Sequence, residues 1–236
     1  MIESKALSPA LGVEFTGVTD PLDDSFVHRC AEALTWRGVL LVRGLHLDDE
    51  RQPAFSRRLG EVVALNGQEI FPVSVDPEKS RTAKYLKGAF FWHLDGTTDD
   101  VPVKATTPTA RQVAMTGGST DFAGTYAAYE TLRVAHSFEA ARRLVNPDPG
   151  EREPAAWRTR PSREAALVWQ RRDGHALLEE LLDRTTQERF RHTHDWAVGD
   201  LVVRDNTGIP HRALPFAESS ERLPHRTTAV GDEAFA

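Results

Sequence analysis

A single cysteine, Cys30, stands in 236 residues, so no disulfide can close within the chain. It falls in an apolar-periodic stretch with Phe26, Val27 and Leu34, where a small buried hydrophobe is expected. No apolar run approaches the roughly 18 residues of a membrane span. Met1-Ile2-Glu3-Ser4 starts no signal peptide, so the sequence reads as cytoplasmic with no membrane partner. An excess of positive charge is missing too. The 29 basic residues are outnumbered by 35 acidic ones, for a formal charge of −6, and they are scattered, which disfavours nucleic acid as a partner. Lysine is scarce, 5 against 24 arginines, a bias that suggests a GC-rich genome more than any function. Repeats, low-complexity segments and linkers are absent. What remains is an ordinary globular composition, 40% hydrophobic and 27% charged, long enough for one domain over residues 1–236 with a sizeable core.

Along the chain, Leu11-Gly12-Val13-Glu14-Phe15 alternates as an early strand does. Asp23, Asp24 and Ser25 offer an N-cap to a helix over 23–37 that Gly38 stops. Val39 to Gly44 reads as a buried strand, and 48–60 as a second helix. From Thr82 to Asp95 the chain is aromatic and strand-like. Strands are expected at Arg111–Met115 and Thr120–Phe122 around a Gly117-Gly118 turn, then a short helix at Tyr126–Leu132, a loop over 146–164 and an amphipathic helix over 174–187. Strands return at Arg189–Trp196, Leu201–Arg204 and Arg226–Val230, with turns at 198–200 and 206–208. Helices near the front and many short strands behind predict a mainly β fold with flanking helices, a sandwich or barrel.

The chemistry-bearing pattern begins with His93-x-Asp95, because alternation on a strand puts residues i and i+2 on one face. A third ligand from far along the chain completes a two-histidine, one-carboxylate facial triad, the arrangement suited to non-haem Fe(II). His211, after the strand and turn of residues 199–208, is the best candidate. Taken alone, H-x-D in a chain of nine histidines is weak and equally describes a polar pair. Arg222 and Arg226 follow His211 by 11 and 15 residues, and their even spacing on a returning strand points both to one face. Guanidinium forks there suit anionic ligands, although any single arginine is more simply a solvated one. His192-x-His194 has strand spacing without a carboxylate partner pattern and reads as surface or structural, while His225 faces away from Arg226.

In chain order, Phe91-Trp92-His93-Leu94-Asp95-Gly96, Thr116-Gly117-Gly118-Ser119-Thr120, Tyr126-Ala127-Ala128-Tyr129-Glu130, Trp196-x-x-Gly199-Asp200-Leu201, Asp205-Asn206, His211-Arg212-Ala213 and Arg222-x-x-x-Arg226 resemble the taurine dioxygenase (TauD/TfdA) family. The likeness covers nearly the whole chain, including Leu11-Gly12-Val13-Glu14. It implies a double-stranded β-helix (jelly roll) with Fe(II) held by His93, Asp95 and His211. It also implies 2-oxoglutarate as co-substrate, its distal carboxylate bound by Arg222 with Thr120, and Arg226 at an anionic end of a small-molecule substrate. Oxidation of a C–H bond with O₂, succinate and CO₂ would be the outcome.

Three departures from the family's pattern stand out. The chain is short near 131–135, where Thr131-Leu132-Arg133 bridges directly to Val134, and near 170–175, where a turn and a core strand are expected after Leu167-Val168-Trp169-Gln170. Either the sheet or lid is reduced, or the chain omits segments. Arg204 stands where the family often has an aromatic residue, which is expected to alter packing near Asn206. The alternative reading is a jelly-roll metal- or ligand-binding protein that keeps the iron triad without turnover; zinc hydrolysis is disfavoured because it needs neither Thr120 nor Arg222. Oligomeric state is open, a homo-oligomer included.

Overall fold

The computed structural model describes residues 1–64, 67–76, 83, 86–96, 101, 103–132, 172–217 and 220–231. Its larger sheet has the spatial order β1 (Glu3–Ala6), β2 (Val13–Thr16), β3 (Val39–Val42), β8 (Leu201–Asp205), β5 (Val103–Gln112), β10 (Leu223–Val230) and β4 (Phe71–Pro72). The smaller sheet is β7 (Arg191–His194), β6 (Thr120–Ala123) and β9 (His211–Ala213). All neighbours are antiparallel except β2 and β3.

Side-chain alternation in the central strands divides the interior in two. From β3 and β8, Leu40, Val42, Leu201 and Val203 point to one side. There they meet Phe15, Phe26, Cys30 and Phe55, beneath helices α1 (Asp24–Arg37) and α2 (Arg51–Leu59). Val39, Leu41 and Val202 point to the other side and pack with Phe122 of β6 and Ile209, which joins the two sheets. Strands apolar on both faces read as continuous hydrophobic runs, as Val39–Val42 does. Cys30 is fully buried, and burial pushes its thiol up to about 12, as a core residue requires.

Helix α1 is bounded as the sequence indicates. The Asp23 carboxylate accepts from the Phe26 N–H at 3.1 Å, and Gly38 closes the C-terminus in the left-handed region (φ 69°), its N–H on the Leu34 carbonyl. A Cβ at Gly38 would lie 2.3 Å from Ile209, so both conformation and space demand glycine. Helix α2 docks through polar groups. The buried Gln52 amide donates to the carbonyls of Thr107 (2.9 Å) and His225 (3.0 Å) and accepts from the Thr109 hydroxyl (2.8 Å), while Ser56 and Thr227 share a hydrogen bond of 2.6 Å. Helices α3 (Thr125–Leu132) and α4 (Arg172–Thr185) follow the expected positions.

Two expectations fail locally. The described part of residues 82–95 does not form the expected strand: Leu86–Phe90 form a 3-10 turn, and His93 makes one isolated bridge. Gly88 weakens the extended conformation, and Phe91 is 75% exposed rather than alternating into a core. Strand β5 ends at Gln112 instead of spanning 111–115, and it begins eight residues earlier, at Val103. Pro108, lacking an N–H, sits where the β5–β8 pairing skips from Thr106 to Thr109. The loop at 146–164 and, in the two short regions, residues 133–135 and 170–171 lie outside the described residues.

Beside β8, the buried Asp200 carboxylate accepts from Arg43 Nη1 (2.7 Å), Ala197 N (2.9 Å) and Gly44 N (3.2 Å), and lies 3.3 Å from His194 Nε2. Burial opposes its charge, but these partners outweigh burial and hold the carboxyl below its ordinary 3.8. Asp200→Asn should therefore cost about 3 kcal/mol at neutral pH. Because the folded-state value is the lower one, this stabilisation is present above about pH 4 and fades as pH falls through the folded value. Urea midpoints of the two proteins should be well separated at pH 7 and converge in stronger acid.

Candidate active site

His93 and His211 are joined by the backbone before their side chains are considered. Each donates its N–H to the other's carbonyl at 3.0 Å, a hydrogen-bonded antiparallel pair, and their rings lie 4.2 Å apart. His211 belongs to β9, opposite Phe122 of β6, so it shares the inward face with Phe122. Its neighbour Arg212 turns outward, bonds Asp121 at 3.0 Å and covers the Trp92 ring at 4.8 Å. Trp92 thus pins the residue before His93 to the residue after His211.

Asp95 reaches the same point from a turn that Gly96 (φ 67°) completes, rather than from a strand. Its Oδ1 lies 3.7 Å from His93 Nε2 and its Oδ2 4.0 Å from His211 Nε2. Ligand atoms of all three fall within 4.8 Å of one another, the one such group among the described residues. His93 Nδ1 is 2.8 Å from the Phe91 carbonyl, which fixes that nitrogen as the donor and leaves Nε2 with a free lone pair. Burial lowers the pKa of His93, and lowers that of His211 well below 6.5 with help from Arg204, so both imidazoles are neutral. Burial acts to raise Asp95, yet the guanidiniums of Arg204 and Arg226 hold it far below the usual carboxylate range. Two neutral imidazoles and one carboxylate are the donor set of a divalent non-haem iron site.

Arg204 is the residue whose role the sequence did not reveal. It bonds Asp95 Oδ2, which also accepts from Arg226 Nη1 at 3.3 Å and the Thr106 hydroxyl at 3.4 Å. Strand alternation carried the signal. Leu201 and Val203 face the helices, so Arg204, in phase with Val202, faces the interior.

Arg222 and Arg226 do not share a strand face. Arg222 precedes β10, which carries an irregularity at Leu223/Pro224. Its Nε donates to the Gly118 carbonyl at 3.3 Å and its guanidinium covers the Phe216 ring at 5.2 Å. Burial pushes its pKa down to about 10, and it has no acidic partner among the described residues. It lines a cavity of about 170 Å³ with Ser119, Trp196 and Gly118; none of the three clustered ligand-type residues lines it. Thr120 accepts from Trp196 Nε1 at 2.9 Å, which leaves its own O–H free to donate. His194, packed against Trp196 and Asp200, is structural as expected, and His225 faces away to Asp49 (2.8 Å).

The model of the taurine catabolism dioxygenase TauD, TfdA family matches residues 3–173 and 136–228. The (S)-phenoxypropionate/alpha-ketoglutarate-dioxygenase of Sphingobium herbicidovorans is 28% identical over 273 aligned positions, covering 97% of this chain and 94% of that protein. The alpha-ketoglutarate-dependent 2,4-dichlorophenoxyacetate dioxygenase of Cupriavidus pinatubonensis is 27% identical, covering 94% and 95%. The first of these alignments is longer than the 236-residue chain, so that relative carries residues without a counterpart here. Among solved structures, AAD-2 in complex with Mn(II) and N-oxalylglycine superposes with a TM-score of 0.81 at 24% identity, over 100% of this chain and 99% of that one. A taurine dioxygenase from Burkholderia xenovorans gives 0.73 at 25%, over 100% and 93%. With a jelly roll shared along its whole length and the family model matched far beyond half of it, the chain belongs to the TauD/TfdA family of Fe(II)- and 2-oxoglutarate-dependent dioxygenases.

Proposed function

We propose that His93, Asp95 and His211 hold the Fe(II), that Arg222 with Thr120 takes the distal carboxylate of 2-oxoglutarate, and that Arg226 meets the anionic end of a small substrate. The convergence of three ligand atoms within 4.8 Å, with the His93 tautomer set by Phe91, carries this reading. A half-buried guanidinium without an acidic partner among the described residues is complementary to a carboxylate, and Trp196, which shares its cavity, is bonded to a Thr120 hydroxyl whose proton is free. Relatives named for phenoxy acids and for a sulfate ester support an anionic substrate.

When bound, iron with 2-oxoglutarate supplies the oxidant: O₂ and 2-oxoglutarate become succinate and CO₂, and one oxygen atom is inserted into a substrate C–H bond. The protein's own work is placement. His93, Asp95 and His211 would hold the metal through three ligand atoms, a number that leaves further positions to exchangeable groups. Arg222 fixes one end of the co-substrate, and Arg226, a third exposed and bonded to Asp95 by a single long contact, can turn to a substrate anion. Phe216 and Trp196 shield the Arg222 side from water.

Anaerobic addition of Fe(II) and 2-oxoglutarate should give a weak visible charge-transfer band, and O₂ should then yield succinate; His211→Ala should abolish both. The absence of any band in the parent protein would refute the assignment. Arg222→Ala should weaken 2-oxoglutarate binding by about 2–4 kcal/mol, a loss of at least thirtyfold in a titration of the band. An unchanged titration would remove Arg222 from the co-substrate site.

A further inference from the structure

The Asp95 carboxylate is over-supplied with positive charge. One negative group is bonded by two guanidiniums, Arg204 and Arg226, on the same oxygen, Oδ2. The neighbouring imidazoles add no negative charge, and the other described donor to Asp95 is the neutral Thr106 hydroxyl. Among the described residues, the nearest charges at the proposed metal position therefore sum to a positive value before any cation arrives. Arg226 is a third exposed and can move away or be screened. Arg204 cannot: it is 5% exposed, held in β8 between Val39 of β3 and Thr106 of β5, and arginine does not shed its proton.

We infer that Arg204 is a permanent buried counter-cation that makes capture of the divalent metal weak by itself and strongly coupled to the dianionic co-substrate. The inference rests on the iron-site assignment proposed above. Repulsion between a guanidinium and a metal bound to the same carboxylate is little screened in a buried site. A dianion placed beside them cancels it, so metal and 2-oxoglutarate favour each other's binding, and by linkage each raises the affinity for the other by the same factor. Arg204 also orients Asp95, which works in the opposite direction. Orientation is the smaller effect here, because the Thr106 hydroxyl still donates to Oδ2 when Arg204 is gone, whereas the buried charge is lost entirely. Arg204 is thus a positioning residue whose charge, rather than its shape, sets the order in which ligands are gathered.

The test is a titration of Mn(II), followed by loss of the free-ion electron paramagnetic resonance signal, with and without saturating 2-oxoglutarate. In the parent, 2-oxoglutarate should tighten Mn(II) binding by at least tenfold. Arg204→Gln should bind Mn(II) alone about tenfold more tightly than the parent and reduce the enhancement by 2-oxoglutarate several-fold. Arg204→Lys keeps the charge and should behave as the parent does. Mn(II) binding to Arg204→Gln that is equal to or weaker than the parent's, with an unchanged enhancement, would overturn the inference and leave Arg204 as an orienting group only. Should Arg204→Gln not fold, as judged by circular dichroism, the parent decides: an enhancement below threefold overturns the inference. His211→Ala separates the two levels. If it binds Mn(II) as the parent does, the iron-site assignment fails; if it loses Mn(II) while Arg204→Gln is indistinguishable from the parent, the inference alone fails.

Discussion

The ionised Asp95 carboxylate, buried among cations, is the constraint around which this protein is organised. A carboxylate removed from water is stable only if its charge is answered locally, and here Arg204, Arg226 and the Thr106 hydroxyl answer it from three adjacent strands of the larger sheet. Those strands, β8, β10 and β5, must keep their register for the three groups to converge. A slip of one residue would turn each of them away and bring Val203, Thr227 or Ala105 to the same place. The chemistry of one carboxylate and the pairing of the sheet are therefore parts of a single requirement.

The same alternation divides the labour inside the jelly roll. Odd-numbered residues of β5, β8 and β10 serve the helix-covered side, with Ala105, Leu201, Val203 and Ala229 in its core and Thr107, Thr109 and Thr227 receiving α2 through hydrogen bonds. Even-numbered residues serve the side between the sheets, where Val202 packs and Thr106, Arg204 and Arg226 reach the site. Polar docking of α2 fixes its position more narrowly than apolar contact would, since Gln52 has partners in one orientation only.

Much of this was legible in the residues. The caps of α1, the buried run of β3 and the turn before β8 follow from local rules that depend on a few neighbouring positions. The gathering of His93, Asp95 and His211 was legible through a motif spread over more than a hundred residues. The aromatic residues before His93 carry a strand-like pattern but pack individually, Phe90 against Phe216 and Trp92 under Arg212, rather than on one face of a strand. The early part of β5 is not legible locally, since Pro108 argues against a central strand and the gap in pairing that accommodates it is a tertiary feature. Arg204 was noticed as a departure but not as a site residue, since its importance lies in a partner 109 positions away.

The direct backbone pairing of His93 with His211 has one more consequence. Two residues that exchange both of their main-chain hydrogen bonds are positioned by each other, and not by the path the chain takes between them. Closing a loop of different length between two such anchors changes the free energy only logarithmically. The interval from 96 to 210 can therefore gain or lose whole segments while the two imidazoles keep their spacing. A family can rebuild the mouth of its pocket in this way, and with it the choice of substrate, without re-solving the problem of how to hold the metal.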